Sequence, residues 1–277
     1  MHRRRLIASL AQVVLLSALP AFATPQAPPL SVLVLGDSQA QGLAAGLERM
    51  VRHKHLYRII DRTKIATGLV SPRVYDWPAE VKQLVATEHA DVAIIMFGAN
   101  DRPPIRINGQ VDAARSAVFQ KQYGSKVSEI AETLANAKIP VIWVGHPIVS
   151  DPTFSQDMTI LNGIYAQDAS AAGAEFFPTW TIFAGPDGNY NAYGKDVDGM
   201  TARLRADDGV HLTPTGYDLL ATDLLPDIAS KAAPPAKIDQ PAKPGPSSKT
   251  AVSPKVAPSA TVALAKPGPS AVLASAK

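Results

Sequence analysis

The chain has 277 residues, of which 46% are hydrophobic and 18% are charged, and its formal net charge at pH 7 is +3. This composition is ordinary for a globular protein and excludes a wholly disordered chain. The absence of cysteine excludes a disulfide framework, a thiolate metal site and a cysteine nucleophile together.

The first 23 residues have the pattern of an export signal. A basic segment at residues 2–5 precedes an apolar stretch over 6–19 and a small-x-small cleavage site at 21–23. The apolar stretch is shorter than the ~20 residues that a membrane span needs, which disfavours the alternative of an uncleaved anchor. We therefore predict a periplasmic or secreted protein that is cleaved after Ala23.

Apolar runs alternate with helical patterns along the next 200 residues. The predicted strands cover 31–35, 57–60, 91–97, 139–145 and 175–177. The predicted helices cover about 39–51, 78–87, 119–137, 156–171 and 214–229, with Thr213 as the N-cap of the last. Runs that are apolar on both faces are typical of buried parallel strands. The alternation therefore predicts a single α/β domain over 24–230, with helices on both faces of a parallel sheet.

Two longer stretches interrupt this pattern. Residues 105–111 are predicted to form a short hairpin that turns at Asn108-Gly109, whereas residues 184–207 indicate no clear element. Loops of this length in a compact domain are usually functional or mobile.

The last segment, residues 231–277, differs in composition from the rest. It holds nine prolines and seven lysines against one acid, Asp239, with almost no large apolar side chains. Such a segment cannot bury enough apolar surface to fold, so we expect a disordered basic tail. Two interpretations of the tail stay open, a solvated spacer or a segment that docks on an anionic envelope polymer or membrane surface. The sequence pI of about 9.0 comes from the two ends of the chain and does not indicate nucleic-acid binding.

Polar residues follow several predicted strands, at the edge where parallel sheets bind ligands. Gly36-Asp37-Ser38 follows the first strand, Gly98-Ala99-Asn100-Asp101 the third, and His146 ends the fourth. A serine hydroxyl becomes nucleophilic when a base accepts its proton, and that base needs a partner that fixes its tautomer. Asp208 and His211 lie three residues apart, so one turn can present both, with His211 as the base for Ser38.

The same chemistry requires hydrogen-bond donors where negative charge develops. We expect these donors to be the side-chain amide of Asn100 and the backbone N–H groups of Gly68 and Ser38. Each motif alone has an ordinary structural alternative, since Ser38 can simply begin a helix and Asp208–His211 can form a surface turn.

Taken together and in this order, four segments resemble the four blocks of the SGNH, or GDSL-type, hydrolases. These segments are Gly36-Asp37-Ser38, Gly68, Gly98-Ala99-Asn100-Asp101 and Asp208-Gly209-Val210-His211. The resemblance covers about residues 31–230. It implies that the serine is the nucleophile, that the block glycine and asparagine are oxyanion donors, and that the Asp-x-x-His completes a catalytic triad. It also implies a three-layer α/β/α sandwich with a five-stranded, flavodoxin-like parallel sheet.

The surroundings of the blocks narrow the resemblance. The segments 67–69, 75–78, 98–102 and 204–211 resemble a bacterial periplasmic subgroup that is classed as a domain of unknown function. One position departs from the common lipase motif, because Gln39 stands where that motif has leucine. The Gly-x-Ser-x-Gly pentapeptide of α/β-hydrolases is absent, since residue 40 is alanine.

Three further residues are candidates for contact with a substrate. Gln39 follows the serine and can shape the pocket, and His146 either contacts substrate or merely ends a strand. Arg102 either binds an anionic group or pairs with an acid of the protein. We predict no metal and no cofactor, because the histidines and acids lack the spacing of ligand motifs.

These residues indicate hydrolysis of an ester through an acyl-enzyme on Ser38. The expected substrate is an O-acetyl group on a cell-envelope or extracellular glycan. Two alternatives stay open, an O-acyltransferase that uses the same triad and a non-catalytic envelope glycan-binding protein that has kept the fold. Sequence does not separate hydrolase from transferase, because both need the same nucleophile and the same oxyanion donors.

Overall fold

A computed structural model describes residues 28–232 apart from 103–104, 108–109 and 113–115, and for 105–107 and 110–112 it describes the backbone alone. The predicted export signal, the turn predicted at Asn108-Gly109 and nearly all of the basic tail lie outside the described residues. Within the described part of the chain, no helix combines the length and the apolar character that crossing a membrane requires.

Five parallel strands form the central sheet. In chain order they are β1 (Leu30–Gly36), β2 (Tyr57–Thr63), β3 (Val92–Met96), β6 (Val141–Val144) and β7 (Glu175–Phe177). Their spatial order is β2-β1-β3-β6-β7, and each neighbouring pair is parallel. This is the flavodoxin-like order, in which the direction of winding reverses beside β1. All five predicted strands are present, and the predicted fold class is confirmed.

Helices cover both faces of the sheet. One face packs against α1 (Ser38–Val51) and α6 (Pro214–Ala232). The other packs against α2 (Trp77–Thr87), α3 (Ala117–Asn136) and α4 (Pro152–Ile164), which continues into a π-helical turn at Tyr165–Ala169. Adjacent residues of a strand enter different layers, so Val34 belongs to the first core and Leu35 to the second. Continuous apolar runs are the result of this two-sided burial.

Side chains that accept backbone N–H groups mark where the helices begin. Asp37, Asp76, Ser116 and Asp151 do so for the first four helices. Thr213 Oγ1 accepts the N–H of Gly216 at 3.1 Å at the start of α6, as predicted. Helix α4 begins at Pro152, four residues earlier than predicted, because Asp151 caps it and proline suits the first helical position.

Two short hairpins and a short helix complete the described chain. Strands β4 (Ile105–Ile107) and β5 (Gln110–Asp112) pair antiparallel, as predicted for this stretch. The expectation of no element over 184–207 is wrong, because β8 (Tyr193–Lys195) and β9 (Thr201–Arg203) form a second hairpin after helix α5 (Trp180–Phe183). The carboxylate of Asp196 accepts the N–H groups of Asp198 and Met200 and closes its turn. The strands are short and mostly exposed, so they lack the apolar pattern on which the prediction depends.

Helices α1 and α6 pack in close contact. A Cβ atom on Gly42 would lie 2.1 Å from the ring of Tyr217, and one on Gly46 would lie 2.6 Å from the Tyr217 carbonyl oxygen. The two glycines therefore allow α6 to approach α1. Because α1 begins at Ser38 and α6 begins three residues after His211, this packing brings two distant parts of the chain together.

Candidate active site

The serine predicted as nucleophile lies between β1 and α1, at the carboxyl edge of the sheet. Gly36 ends the strand with φ +140°, and a Cβ atom there would lie 2.0 Å from the carbonyl oxygen of Met96 on β3. Glycine is needed for this close approach of the two strands. Asp37 then caps α1 by accepting the N–H of Gln39 at 2.9 Å. As a result Ser38 is the first residue of the helix and is half-buried.

Ser38, His211 and Asp208 form a continuous hydrogen-bonded chain. Ser38 Oγ lies 2.8 Å from His211 Nε2, and His211 Nδ1 lies 2.6 Å from Asp208 Oδ2. A carboxylate can only accept, so the proton on the ring is on Nδ1, and Nε2 is left to accept from the serine hydroxyl. This is the arrangement that activates a serine hydroxyl.

The carboxylate of Asp208 is held by its own loop. Its Oδ1 accepts the N–H groups of Val210 and His211, each at 2.9 Å. Partial burial raises the pKa of Asp208, but the hydrogen bonds from His211 and Val210 outweigh it and bring the pKa below its ordinary value. The group is therefore charged at neutral pH and can stabilise a protonated His211.

Gly209 allows this loop to pack against the segment after β6. It has φ +67°, and a Cβ atom on it would lie 1.9 Å from Ser150 Oγ. The N–H of Ser150 donates to the carbonyl oxygen of Gly209 at 3.0 Å. Any other residue at this position would strain the backbone and displace Ser150.

The amide of Asn100 links the first three sequence blocks. Its Nδ2 donates to the carbonyl oxygen of Thr67 at 3.0 Å and to Asp37 Oδ2 at 3.3 Å. Asn100 therefore lies between the residue before Ser38 and the residue before Gly68. The structure thus brings together the segments that carry the three predicted oxyanion donors.

Asp101 supports the Gly68 loop, a role that the sequence analysis missed. It is buried and accepts the N–H of Val70 at 2.9 Å and the hydroxyl of Tyr123 at 2.8 Å. A Cβ atom on Gly68 would lie 2.2 Å from Asp101 Oδ1, so glycine is the residue that fits. In the sequence, only the position of Asp101 next to Asn100 indicates this role.

Burial raises the pKa of both carboxyl groups that lie beside the oxyanion donors. Burial raises the pKa of Asp37 to about 7, although the N–H of Gln39 and the amide of Asn100 lower it, and Asp101 raises it further. Burial likewise raises the pKa of Asp101 to about 6, with the bonds from Val70 and Tyr123 acting in the other direction. These groups are costly to bury in charged form, which marks the region as a candidate functional site.

The three residues proposed to contact substrate have other roles in the structure. Gln39 is fully buried, and its amide bonds the carbonyl oxygen of Val210 and the hydroxyl of Tyr217, each at 3.0 Å. Arg102 Nε lies 3.0 Å from Asp157 Oδ2, and its guanidinium lies 4.2 Å from the ring centre of Phe154. For Arg102 the geometry therefore favours pairing with an acid. For Gln39 it shows bonds within the protein, and the predicted contact with substrate stays a prediction.

For His146 the geometry favours the alternative of a polar residue that ends a strand. It is fully buried, and its Nδ1–H donates to the carbonyl oxygen of Pro147 at 2.9 Å. Burial lowers the pKa of His146 to about 4, so the ring is neutral. No hydrogen-bond partner for its Nε2 is found among the described residues. The ring is enclosed by the protein and is not presented to a ligand at the surface.

Arg205 is a second residue that the sequence analysis missed. Its guanidinium is buried, donates to the carbonyl oxygens of Ile148 and Val210, and lies 5.1 Å from the ring centre of Tyr190. Burial lowers the pKa of Arg205 to about 10. Its only signal in the sequence is its position three residues before Asp208. In the part of the chain that the structure describes, no group of three His, Asp or Glu side chains is arranged to hold a metal ion.

The chain is similar to one protein family and to several solved structures. The model of a family described as protein of unknown function, DUF459, matches residues 31–227. A comparison with curated protein sequences finds no match.

Three solved structures are similar to the chain. A candidate acylhydrolase from Bacteroides fragilis shares 15% identity at a TM-score of 0.54, over 77% of this chain and 93% of the other. A GDSL-like lipase from Bacteroides thetaiotaomicron shares 16% identity at a TM-score of 0.51, over 74% and 92%. TesA shares 17% identity at a TM-score of 0.50, over 73% and 99%. These similarities establish a shared fold.

Proposed function

Because the chain belongs to the DUF459 family and has the fold of GDSL-type hydrolases, we propose that it is a serine esterase that acts through an acyl-enzyme on Ser38. One observation carries the proposal, the chain of hydrogen bonds from Ser38 Oγ through His211 to Asp208 at 2.8 and 2.6 Å. The fold does not require this arrangement at a half-buried serine, whereas acyl transfer does require it.

In the first half of the proposed reaction, Ser38 Oγ attacks the carbonyl carbon of the ester while its proton moves to His211 Nε2. Asp208 stabilises the resulting imidazolium through its bond to Nδ1–H. The tetrahedral intermediate then collapses, and the alcohol leaves with the proton from His211. In the second half, His211 accepts a proton from the water that attacks the acyl-serine. The second tetrahedral intermediate then collapses, the bond to Ser38 Oγ breaks, and Ser38 takes the proton back from His211 as the acid leaves.

The oxyanion would be stabilised by the backbone N–H groups of Ser38 and Gly68 and by the Asn100 amide. In the structure the Asn100 amide faces Thr67 and Asp37, at 3.0 and 3.3 Å. The longer bond, to Asp37, is the one that we expect to weaken when the oxyanion forms. The amide already lies beside Asp37, the residue before Ser38, so a rotation of the Asn100 side chain would bring it to the oxyanion.

The substrate that we propose is an O-acetyl ester on a cell-envelope or extracellular glycan. The export signal predicted at residues 1–23 supports this location, and it supports a periplasmic or secreted enzyme. The basic tail would hold the enzyme near anionic envelope material.

The test uses p-nitrophenyl esters from acetyl to long-chain, together with acetylated glycans. We expect the wild-type chain to prefer short esters and Ser38→Ala to abolish turnover and labelling by a fluorophosphonate probe, with little change in melting temperature. Ser125→Ala, on the exposed side of α3, is the control and keeps full activity. Undiminished turnover in Ser38→Ala would show that this serine is not the nucleophile. Product analysis with a sugar acceptor separates hydrolysis from acyl transfer.

A further inference from the structure

The peptide unit between Val210 and His211 is fixed at both of its ends. Its N–H, which belongs to His211, donates to Asp208 Oδ1 at 2.9 Å. Its carbonyl oxygen, on Val210, accepts from Gln39 Nε2 and from Arg205 Nη2, each at 3.0 Å. Since this unit carries the imidazole, the bonds that hold it also hold His211. We call Gln39, Val210 and Arg205 the Val210 clamp.

Gln39 connects the clamp directly to the serine. It follows Ser38 in the chain, in the first turn of α1, and it is fully buried. Its amide orientation is determined by its partners, because the Val210 carbonyl can only accept and must therefore face the NH₂ group. The hydroxyl of Tyr217 donates to Gln39 Oε1 at 3.0 Å and fixes the other end. The residue next to Ser38 thus bonds the peptide unit that carries His211.

Arg205 holds the same carbonyl from the other side. Its guanidinium is buried and also donates to the carbonyl oxygen of Ile148, while the ring of Tyr190 covers it. Hydrogen bonds from a charged donor are stronger than neutral ones, and a planar fork fixes direction as well as distance. Arg205 therefore anchors the loop to the segment that follows β6.

We propose that Gln39 and Arg205 are positioning residues that set the separation of Ser38 Oγ and His211 Nε2. The inference rests on the proposed function and adds to it, since neither side chain touches the reacting atoms. A leucine at position 39, as in the common GDSL motif, cannot donate to the Val210 carbonyl. In this chain the alignment of base and serine therefore depends on a polar bond that the common motif lacks.

The first test is Gln39→Met in the full chain, because methionine has a similar length and no donor. We expect kcat to fall by about 10- to 100-fold with KM within about twofold, since misplacing a catalytic group slows chemistry more than binding. The rate of fluorophosphonate labelling of Ser38 should fall by a similar factor. Thr179→Val is the matched control, because Thr179 is equally buried and also donates one side-chain bond to a carbonyl oxygen, that of Gly145.

Both variants should lose a few degrees of melting temperature, but Thr179→Val should keep the wild-type kcat. A Gln39→Met variant that is less stable yet as fast as wild type would overturn the proposal. Arg205→Lys keeps the charge and loses the planar fork, and it should lower kcat in the same way. If Arg205→Lys does not fold, the decision rests on Gln39→Met.

An NMR measurement tests the clamp without any ester. The His211 Nδ1–H signal of the free protein reports the geometry of its bond to Asp208. Gln39→Met should shift or broaden this signal, and Thr179→Val should leave it unchanged. An unchanged signal together with an unchanged rate of fluorophosphonate labelling in Gln39→Met would refute the clamp. If the wild-type chain hydrolyses no ester but Gln39→Met still changes the signal, the proposed function is refuted and the clamp stands.

Discussion

The imidazole of His146 is a titratable group that folding removes from water. Its pKa falls to about 4 in the folded protein from a usual value of 6.5. The cause is burial, with a smaller contribution from the positive charge of Arg205. Between these two pH values the unfolded chain binds a proton that the folded chain does not bind. Stability therefore rises with pH across this window and is lost as the pH falls towards 4.

His146→Gln tests this linkage, because glutamine does not titrate and keeps an N–H that can donate to the Pro147 carbonyl. The difference in unfolding free energy between wild type and variant should shift in favour of wild type as pH rises from about 4.5 to 7, by on the order of 3 kcal/mol at most. Urea unfolding at a series of pH values gives this difference. A difference that is the same at every pH would mean that His146 is not kept neutral by burial.

The residues of the triad can be predicted from the sequence, but the residues that hold them in position cannot. Ser38, Asp208 and His211 are chemically distinctive, and the spacing of Asp208 and His211 within one turn already restricts their geometry. The clamp depends on which carbonyl oxygen meets Gln39 and Arg205, and that is decided by the packing of α1 against the loop. The burial of His146 cannot be predicted for the same reason. Its place after β6 predicts the correct edge of the sheet, but not how deeply the ring is buried.

The loop over Asp208–His211 is an element whose shape depends on one glycine. Gly209→Ala should lower the unfolding free energy by roughly 2–4 kcal/mol, because it adds a positive-φ cost of ~1–2 kcal/mol and a clash with Ser150. It should also lower kcat, since the loop carries the base. Denaturant unfolding and ester kinetics measure the two effects.

Gly199→Ala is the matched control for Gly209→Ala. Gly199 has φ +74° in the turn of the β8–β9 hairpin, and no atom of the described residues would lie within 4 Å of a Cβ atom there. It should therefore show the backbone cost alone. Ser150→Gly combined with Gly209→Ala should recover the steric part. Equal losses for the two single glycine variants would show that contact with Ser150 is unimportant.

The elements that can be predicted are those with a continuous apolar pattern in the sequence. Three continuous apolar runs identify β1, β3 and β6, because a strand that is buried on both faces must be apolar throughout. The edge strands β2 and β7 are only partly buried, so their apolar patterns are shorter. The β8–β9 hairpin has no such signal, since it depends on the hydrogen bonds of Asp196 and on the φ of Gly199. The sequence pattern places the start of α4 too late, because the apolar periodicity begins after the capping residue Asp151.

The net positive charge of the whole molecule comes from its two ends, and this makes the basic tail testable. Helix α6 continues to Ala232, and Lys231 Nζ lies 2.7 Å from Glu175 Oε2, so the truncation is best placed after Ala232. Removal of 233–277 should leave kcat/KM on a small ester unchanged. It should weaken cosedimentation with envelope fragments at low salt, and the full chain should lose this association as salt passes physiological strength, where screening acts within ~8 Å.

A tail of unchanged length in which the six lysines after Ala232 are replaced by serine separates charge from length. If it binds envelope fragments as well as wild type, the tail is only a spacer. If the truncated chain fails to fold, the tail belongs to the folded domain and the predicted boundary is wrong.

The packing of α1 against α6 has a consequence for biosynthesis. Ser38 and His211 are 173 positions apart, and the packing of α6 against α1 brings them within hydrogen-bond distance. A ribosome that has made two thirds of the chain has already produced the serine and all five strands of the sheet, but not His211. Every incomplete product, whether stalled in translation or cut by a protease before residue 211, therefore lacks the base that activates Ser38 in the proposed reaction. In the proposed reaction, activity therefore arises only once α6 has been made and has packed against α1.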